Sequence, residues 1–203
     1  MTKDDVTVLR RETPFKGFFQ VDTLTLSHRC YNGEWGPQVR RELFVRPPAA
    51  AVLPYDAKLD RILMVEQFRV GALDWRQTPW CLEMIAGLAD VDGESSEDLI
   101  RREAIEEAGV TLGELESIAH YMPSPGGSDE RLQVYVGQAD LADAGGIFGC
   151  EHEGEDIRAL TLPVADIPQL LASGWVDNAA SIIALQWMQL HGEALRQRWL
   201  GAA

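Results

Sequence analysis

The sequence predicts an α/β fold, an α/β/α sandwich in which helices pack on a mixed β-sheet, preceded by a small antiparallel β unit. Three observations carry this prediction. Short apolar runs bounded by turn residues recur along the chain, a well-capped helix begins near residue 95, and a long helix with a broad apolar surface occupies residues 178–200. With 203 residues, 46% of them hydrophobic and 25% charged, the chain can form one substantial domain and a small accessory one.

The predicted N-terminal unit consists of two extended segments. Residues 18–27, FFQVDTLTLS, are rich in Thr, Val, Leu and Phe with partial alternation, and residues 39–45 follow an Asn-Gly turn signal. Both segments are predicted strands. Pro47 and Pro48 then interrupt the pattern, so we place a boundary between an N-terminal β unit, residues 1–47, and a main domain, residues 48–203.

The main domain alternates strands with helices. Its strands are predicted from short, mostly apolar runs, at residues 49–53, 61–68, 78–87, 118–122, 132–139 and 157–163. A short helix is predicted at residues 165–172, before Gly174, and a long one at residues 178–200 with Asp177 or Asn178 as its N-cap.

The helix near residue 95 has both of its ends marked in the sequence. Ser95 or Ser96 can cap its N-terminus, acidic residues occupy its first turn, where the helix dipole favours them, and Gly109 marks its end. At about 100° per residue, two sets of side chains separate onto different faces. The carboxylates on one face are Glu103, Glu106 and Glu107, and the apolar face able to pack on a sheet contains Ile100, Ala104 and Ala108.

The three carboxylates of this helix suit a hard divalent cation. Mg²⁺ prefers oxygen ligands and keeps water or substrate phosphates in its remaining positions. Like charges at this spacing also destabilise an isolated helix by a few tenths of a kcal/mol per pair, so we expect something to offset the repulsion. Taken alone, however, such a short acidic motif is more often a solvated helix face.

Composition excludes several classes of protein. The formal net charge of −14 argues against nonspecific binding to nucleic acid or to an anionic membrane surface, since either needs a basic footprint. Residues 1–17 contain no apolar signal-like segment, and no run approaches the roughly 18 apolar residues of a membrane span, so a cytoplasmic protein is expected. Cys30, Cys81 and Cys150 are odd in number and widely spaced, which suggests neither a disulfide framework nor a zinc site.

Three features outside the helix are candidate functional elements, each with an ordinary alternative. Residues 124–131, SPGGSDER, form a loop where backbone can approach a ligand closely, or simply a turn. Residues 151–158, EHEGEDIR, form a second acidic cluster, which on its own is more often a solvated loop. Arg69 follows a predicted strand and can point into a cleft, or be an ordinary surface arginine.

The sequence resembles the Nudix hydrolase superfamily. The family motif consists of Gly, five residues, Glu, seven residues and then Arg-Glu-hydrophobic-x-Glu-Glu-x-Gly-hydrophobic, and this chain matches it from Glu94 through REAIEEAGV, which ends at Val110. There is one departure, because Gly87 lies one position too early and Leu88 occupies the strict glycine position. The resemblance covers nearly the whole chain and is closest to the ADP-ribose pyrophosphatase branch, in which a proline equivalent to Pro125 marks the substrate class.

The resemblance implies a metal-dependent hydrolase of ADP-ribose or a related nucleoside diphosphate sugar. Mg²⁺, with Mn²⁺ as a possible substitute, would be held by Glu103, Glu107 and the Ala86 carbonyl. Glu106 and Glu155 would complete or support the metal cluster, and Glu153 would act as general base. The substrate-binding residues implied are Arg69, Arg41, Phe18, Phe19, Ser124, Gly126 and Glu130.

The resemblance also implies a homodimer in which the N-terminal β unit is exchanged between subunits. Two alternatives remain open. The substrate could be another nucleotide, such as a different nucleotide sugar, a dinucleoside polyphosphate or NADH. A Nudix domain can also sense a nucleotide without cleaving it, although loss of motif carboxylates would favour that role and none is lost here. The scattered histidines have no metal-ligand spacing and are expected to be structural.

Overall fold

A computed structural model describes residues 1–74, 77–150 and 154–201, and the chain divides into two compact units. Unit 1 comprises Met1–Pro48 and Met122–Arg131, and unit 2 comprises Ala49–Tyr121 and Leu132–Ala203. Among the described helices, none combines the length and apolar composition needed to cross a membrane. The division of the chain at residue 47 and the exchange of the N-terminal unit stay predictions.

Unit 1 is a three-stranded antiparallel sheet in the order β1-β2-β3. Its strands are β1 (Val6–Lys16), β2 (Gln20–His28) and β3 (Val39–Val45). The small N-terminal β unit is thus confirmed, but the sequence did not predict β1. Every residue of β1 is exposed, and its pairing with β2 shifts register twice, so the strand carries no regular apolar alternation.

The segment Met122–Arg131 belongs to unit 1 because it is hydrogen-bonded along β3. The backbone N–H of Phe44 donates to the Gly127 carbonyl at 2.8 Å, and that of Arg46 donates to the Asp129 carboxylate at 2.8 Å. Arg46 also forms an ion pair of 3.2 Å with Glu130. The candidate loop at residues 124–131 therefore has its conformation set by strand β3, which lies about 80 residues earlier in the chain.

Unit 2 contains one eight-stranded mixed sheet, and this confirms the predicted sheet type. Its strands are β4 (Ala49–Asp56), β5 (Arg61–Phe68), β6 (Trp80–Glu83), β7 (Ile85–Leu88), β8 (Leu115–Tyr121), β9 (Leu132–Gln138), β10 (Gly146–Phe148) and β11 (Ile157–Pro163). The main order is β10-β11-β5-β4-β9-β8, with β6 paired to β5 and β7 paired to β4. The β4–β9 pair is parallel and the other pairs are antiparallel. The three-residue strand β10 was not predicted.

Strands β4 and β5 form a hairpin that splays open, and this opening positions the candidate site. They pair only near their shared turn, through Tyr55–Ile62 and Asp56–Arg61. Farther along, β5 pairs with β6 and β4 pairs with β7. The single strand predicted at residues 78–87 is therefore wrong in detail, because the chain changes partner at Met84, whose N–H donates to the buried Ser181 hydroxyl at 3.0 Å.

In the described part of unit 2, three α-helices cover the two faces of this sheet: α1 (Ser96–Ala108), α2 (Ile167–Ser173) and α3 (Ala179–Trp199). Helix α1 packs on one face, in an apolar cluster containing Val52, Leu63, Val65, Ile85, Leu99, Ile100, Ala104 and Ala108. Helices α2 and α3 pack on the other, in a cluster containing Leu53, Tyr55, Met64, Val134, Ile167, Leu170, Leu185 and Met188. Unit 2 is the predicted α/β/α sandwich, and its helices begin and end within two residues of the predicted positions.

Asp56 fixes the β4–β5 turn and the segment after β9. It is 4% exposed, and its carboxylate accepts hydrogen bonds from the N–H groups of Lys58, Leu59 and Leu141 at 2.9 to 3.0 Å. Burial alone would raise the pKa of Asp56, but the three donors outweigh burial and hold the pKa below its ordinary value of 3.8. A carboxylate with a lowered pKa stabilises the fold above its ordinary pKa, and this stabilisation is lost as the pH falls through the folded-state pKa.

We predict that Asp56→Asn lowers the free energy of unfolding at pH 7 by about 1–3 kcal/mol, because an amide leaves a buried N–H unpaired. Urea denaturation measures this difference, which should shrink as the pH is lowered below about 4. Asp140→Asn is a matched control, since exposed Asp140 accepts a single backbone hydrogen bond from the described residues, that of the Ala142 N–H. A destabilisation by Asp56→Asn that is the same at every pH would contradict the assignment.

Candidate active site

Helix α1 is held at both ends as its sequence predicts. The Ser95 hydroxyl accepts a hydrogen bond from the Asp98 N–H at 3.1 Å, which makes Ser95 the N-cap. Gly109 ends the helix in the left-handed conformation, with φ of 65°, which glycine adopts more readily than other residues. The last two turns of α1 carry the candidate carboxylates and lie against strand β7, so the position of this helix sets their geometry.

Glu103 and Glu107 lie directly against the backbone of β7. Glu107 is only 3% exposed, and its Oε2 accepts a hydrogen bond from the Ala86 N–H at 3.3 Å. Gly87, the next residue, lies beneath the Glu103 side chain, since a Cβ atom at Gly87 would stand 2.6 Å from Cγ of Glu103. The absence of a side chain at Gly87 therefore creates the space that the Glu103 carboxylate occupies.

The acidity of both carboxyl groups is weakened in this environment. Burial raises the pKa of Glu107 to about 8, and the negative charges of Glu103 and Glu155 act in the same direction. Burial also raises the pKa of Glu103 to about 7, although the charge of Arg102 opposes the change. When these carboxyl groups are ionised, their negative charge is not fully compensated by the neighbouring residues. A bound divalent cation would compensate it.

Arg102 is the centre of an ion-pair network on this side of helix α1. Its guanidinium binds both carboxylate oxygens of Glu94, at 3.0 and 3.2 Å, and one oxygen each of Glu103 and Glu106, at 2.9 and 3.1 Å. The hydrogen bonds to Glu94, with the charges of the other two glutamates, raise the pKa of Arg102. Our sequence reasoning gave Arg102 no role, although its spacing of four residues from Glu106 marks a helical ion pair.

Glu155 lies close enough to raise the pKa values of both Glu103 and Glu107. Its Oε2 accepts a hydrogen bond from the Cys150 N–H at 3.0 Å. The predicted general base, Glu153, lies outside the described residues. Within those that are described, no three His, Cys, Asp or Glu side chains already stand in a metal-binding arrangement, and Arg102 engages both Glu103 and Glu106.

Arg69 lies at the end of β5, on the same side of the sheet as these carboxylates. Its Nε donates to Oε2 of Glu83 at 2.8 Å, and its positive charge lowers the pKa of Glu107 against the larger effect of burial. The Arg69 side chain is 46% exposed, so part of its guanidinium faces solvent. The structure thus brings Arg69 together with the predicted metal ligands, all of them in unit 2.

The other predicted substrate-binding residues lie in unit 1. Phe18 is 89% exposed and its ring contacts that of Phe19 edge-on, with 4.9 Å between centroids. Phe19 in turn contacts the ring of Phe44 and the guanidinium of Arg46, the latter 4.9 Å from its ring centroid. Arg46 is a second residue that our sequence reasoning missed, because its partners lie far away along the chain.

The remaining unit 1 candidates are Arg41 and the loop that follows β8. Arg41 is exposed, and its guanidinium donates to the Arg40 carbonyl at 2.9 Å. The Ser124 carbonyl accepts from the N–H groups of Gly127 and Ser128, which closes a turn around exposed Gly126. Glu130 pairs with Arg46 at 3.2 Å. Arg46 therefore links Phe19 with the loop inside unit 1.

Comparison with known proteins shows which proteins this chain resembles. A family model described as the NUDIX domain matches residues 45–186. The chain is 45% identical to the ADP-ribose pyrophosphatase of Escherichia coli (strain K12) over 97% of this chain and 94% of the relative. It is 36% identical to the ADP-ribose pyrophosphatase of Haemophilus influenzae over 98% of this chain and 92% of the relative.

A solved structure described as an ADP compounds hydrolase shares the fold. It aligns with a TM-score of 0.69 and 22% identity, over 93% of this chain and 96% of the other. The family model spans most of the chain, and its match includes the carboxylates of helix α1 and the backbone of β7. The chain therefore belongs to the Nudix hydrolase family.

Proposed function

We propose that the protein hydrolyses the pyrophosphate bond of ADP-ribose, or of a related nucleoside diphosphate sugar, with ADP-ribose giving AMP and ribose 5-phosphate. The observation that carries the proposal is the packing of buried Glu107 and half-buried Glu103 against the backbone of Ala86 and Gly87 in β7. The substrate is proposed from the full-length similarity to ADP-ribose pyrophosphatases. The cytoplasmic location expected from the sequence stays a prediction.

The residues of this site fit a divalent cation, which the Nudix family typically uses. We propose that Glu103, Glu107, Glu155 and the Ala86 carbonyl hold Mg²⁺, or Mn²⁺ in its place, with Glu106 in support. The buried position and raised pKa of Glu107 mean that its ionised form is unfavourable in the protein alone, and a bound cation would offset this. When bound, the metal supplies charge neutralisation at the phosphate oxygens and acidification of water.

The protein's own groups would orient the reactants and move one proton. Water attacks a phosphorus atom, the bridging P–O bond breaks, and the two phosphate products separate. Glu153 takes the proton of the attacking water, a task for which a carboxylate needs no strongly raised pKa in such a site. Arg102 keeps Glu94, Glu103 and Glu106 oriented, so the carboxylates are in place before substrate arrives.

Each unit, taken by itself, carries residues that we propose bind substrate. We propose that Arg69 exchanges part of its contact with Glu83 for a phosphate oxygen, for which the guanidinium fork is well suited. Exposed Phe18 and Phe19 offer aromatic surface to a base, and Arg41 offers a positive charge to the diphosphate. Ser124, Gly126 and Glu130 would contribute the loop that marks the substrate class.

A substrate panel tests the function. ADP-ribose, GDP-mannose, diadenosine polyphosphate and NADH are each incubated with the protein and Mg²⁺, and the products are separated by chromatography. ADP-ribose should give AMP and ribose 5-phosphate with a kcat/KM at least about tenfold above the others. Preference for another nucleotide would replace the proposed substrate, whereas tight binding without cleavage would indicate a nucleotide-sensing domain.

Gly87→Ala should disable the site while preserving the fold. The new methyl group would overlap the Glu103 carboxylate, which can move because it is the end of a flexible side chain. We expect turnover of ADP-ribose to fall on the order of 10²-fold, since small displacements of a reacting group have effects of this size. Gly71→Ala is the matched control, because a Cβ there meets no atom within 4 Å. Equal turnover of the two variants, with equal thermal stability, would contradict the role assigned to Gly87.

Glu153→Gln and Glu103→Gln should separate the general base from the metal ligands. We expect Glu153→Gln to lower kcat by roughly 10² to 10⁴, the usual span for one general base, with Mg²⁺ affinity little changed. Glu103→Gln should also lose Mg²⁺ affinity, which calorimetry measures directly. If Glu153→Gln loses Mg²⁺ binding as severely, or retains its kcat, then Glu155 or Glu151 becomes the next candidate for the base.

Unit 1 supports the proposal of a homodimer. Among its described residues, only Asp22 and Thr23 are buried, so its sheet buries no apolar side chain of its own. Phe15 in β1 is 57% exposed. A small sheet without an apolar core is marginal in water, so we propose that a second copy of the chain covers unit 1.

Light scattering at micromolar concentration should therefore give the mass of a dimer. Phe15→Glu should shift the mass toward the monomer, because it places a charge on the covered sheet. The matched control is Leu59→Glu, which replaces a side chain of similar exposure, 48%, in unit 2. A fully active monomer would refute the exchanged arrangement.

A further inference from the structure

Gln67 is a buried polar residue for which the proposed reaction gives no role. It is 6% exposed, and its side-chain amide nitrogen has no hydrogen-bond partner in the part of the chain that the structure describes. Buried side-chain donors are nearly always hydrogen-bonded in folded proteins, and an unpaired one is unfavourable. An unpaired amide at the end of a core strand therefore points to a partner beyond the described residues, such as a bound ligand.

The register of the sheet places Gln67 beside Arg69. In the β5–β6 pair, Gln67 lies opposite Cys81 and Val65 lies opposite Glu83, and residues directly opposite share a face. Arg69 continues in extended conformation, with φ of −130° and ψ of 117°, so its side chain lies on the same face as that of Gln67. Gln67, Arg69 and Glu83 therefore share one face.

This face is the one that helix α1 covers. Val65, two residues before Gln67, packs in the same apolar cluster as Ala104 and Ala108 of α1. Just beyond the end of β5, Arg69 lies close enough to Glu107 for its positive charge to lower the pKa of Glu107. Gln67 thus lies between the apolar core and the partly exposed Arg69, on the inner side of the residues that are candidates for binding the diphosphate.

We propose that Gln67 is a substrate-binding residue whose amide N–H donates a hydrogen bond to an oxygen of the substrate's diphosphate group. The inference rests on the proposed function, because it assigns a further residue to the same site. A neutral donor suits this position, since an oxygen of the diphosphate carries negative charge and lacks a proton to donate. A hydrogen bond to a charged oxygen is also stronger than one between neutral groups.

The test replaces Gln67 by methionine, which is similar in size and has no N–H. Gln67→Met should lower kcat/KM for ADP-ribose by roughly ten- to a hundredfold, the usual effect of losing a hydrogen bond to a charged group. Its thermal stability should equal or exceed that of the wild type, because an unpaired buried polar group has been removed. A loss of kcat/KM without a loss of thermal stability identifies a side chain that serves binding and not folding.

Gln133→Met is the matched control. The Gln133 amide nitrogen donates to the Ser117 hydroxyl at 2.8 Å and to the Ala119 carbonyl at 3.0 Å, so the same substitution should lower stability and leave kcat/KM unchanged. Gln67→Glu adds a discriminating variant. A carboxylate repels the diphosphate, so it should reduce kcat/KM more than methionine does.

The outcomes separate this inference from the proposed function. A wild-type protein that does not cleave ADP-ribose would refute the function itself. An active wild type with Gln67→Met equally active, or with Gln67→Met destabilised like Gln133→Met, would overturn the inference alone. Higher Mg²⁺ affinity in Gln67→Glu, without loss of activity, would also overturn it, because the residue would then face the metal and not the substrate.

Discussion

The close approach of helix α1 to strand β7 is the constraint on which the site depends. Small residues make this approach possible, since the helix presents Ala104 and Ala108 to the sheet and the strand presents Gly87 to the helix. The helix is then near enough for Glu107 to accept a hydrogen bond from the Ala86 backbone while buried. Two carboxylates are thereby kept where solvent cannot fully stabilise their charge, and their raised pKa values follow from that position.

Arg102 offsets part of the negative charge of these carboxylates but does not cancel it. One guanidinium donates hydrogen bonds to three carboxylates, those of Glu94, Glu103 and Glu106, and lies 4.0 Å from that of Asp90, so the network remains negative overall. Glu94 precedes the helix and binds Arg102 through both oxygens, which ties the preceding loop to the helix despite the extra residue between Gly87 and Glu94. A cation at Glu103 would share that carboxylate with Arg102, so the network both orders the ligand and competes for it.

The features that the sequence predicted correctly depend on residues that lie close together along the chain. Helix α1 was predictable because its caps and its apolar and acidic faces all lie within about four turns of chain. Strand β1 was missed because none of its residues is buried, and the break at Met84 was missed because it depends on the distant Ser181. The family resemblance supplied the candidate residues. Neither it nor the local pattern indicated that Phe44 of β3 and Arg46, the residue that follows β3, hold the loop at residues 124–131.

Gln67, Glu107 and Gly87 share one property, which is that each is unfavourable for folding by itself. The buried amide of Gln67 lacks a partner among the described residues, Glu107 buries a carboxylate, and Gly87 gives up side-chain packing within a strand. They lie on the face that helix α1 covers, where their neighbours, such as Val65 and Ile85, are apolar as a core face requires. Departures from good packing that gather in one place are expected at functional sites, where binding offsets what folding loses. The energetics of the α1 face therefore favour it as the functional face, and this argument is independent of the sequence motif.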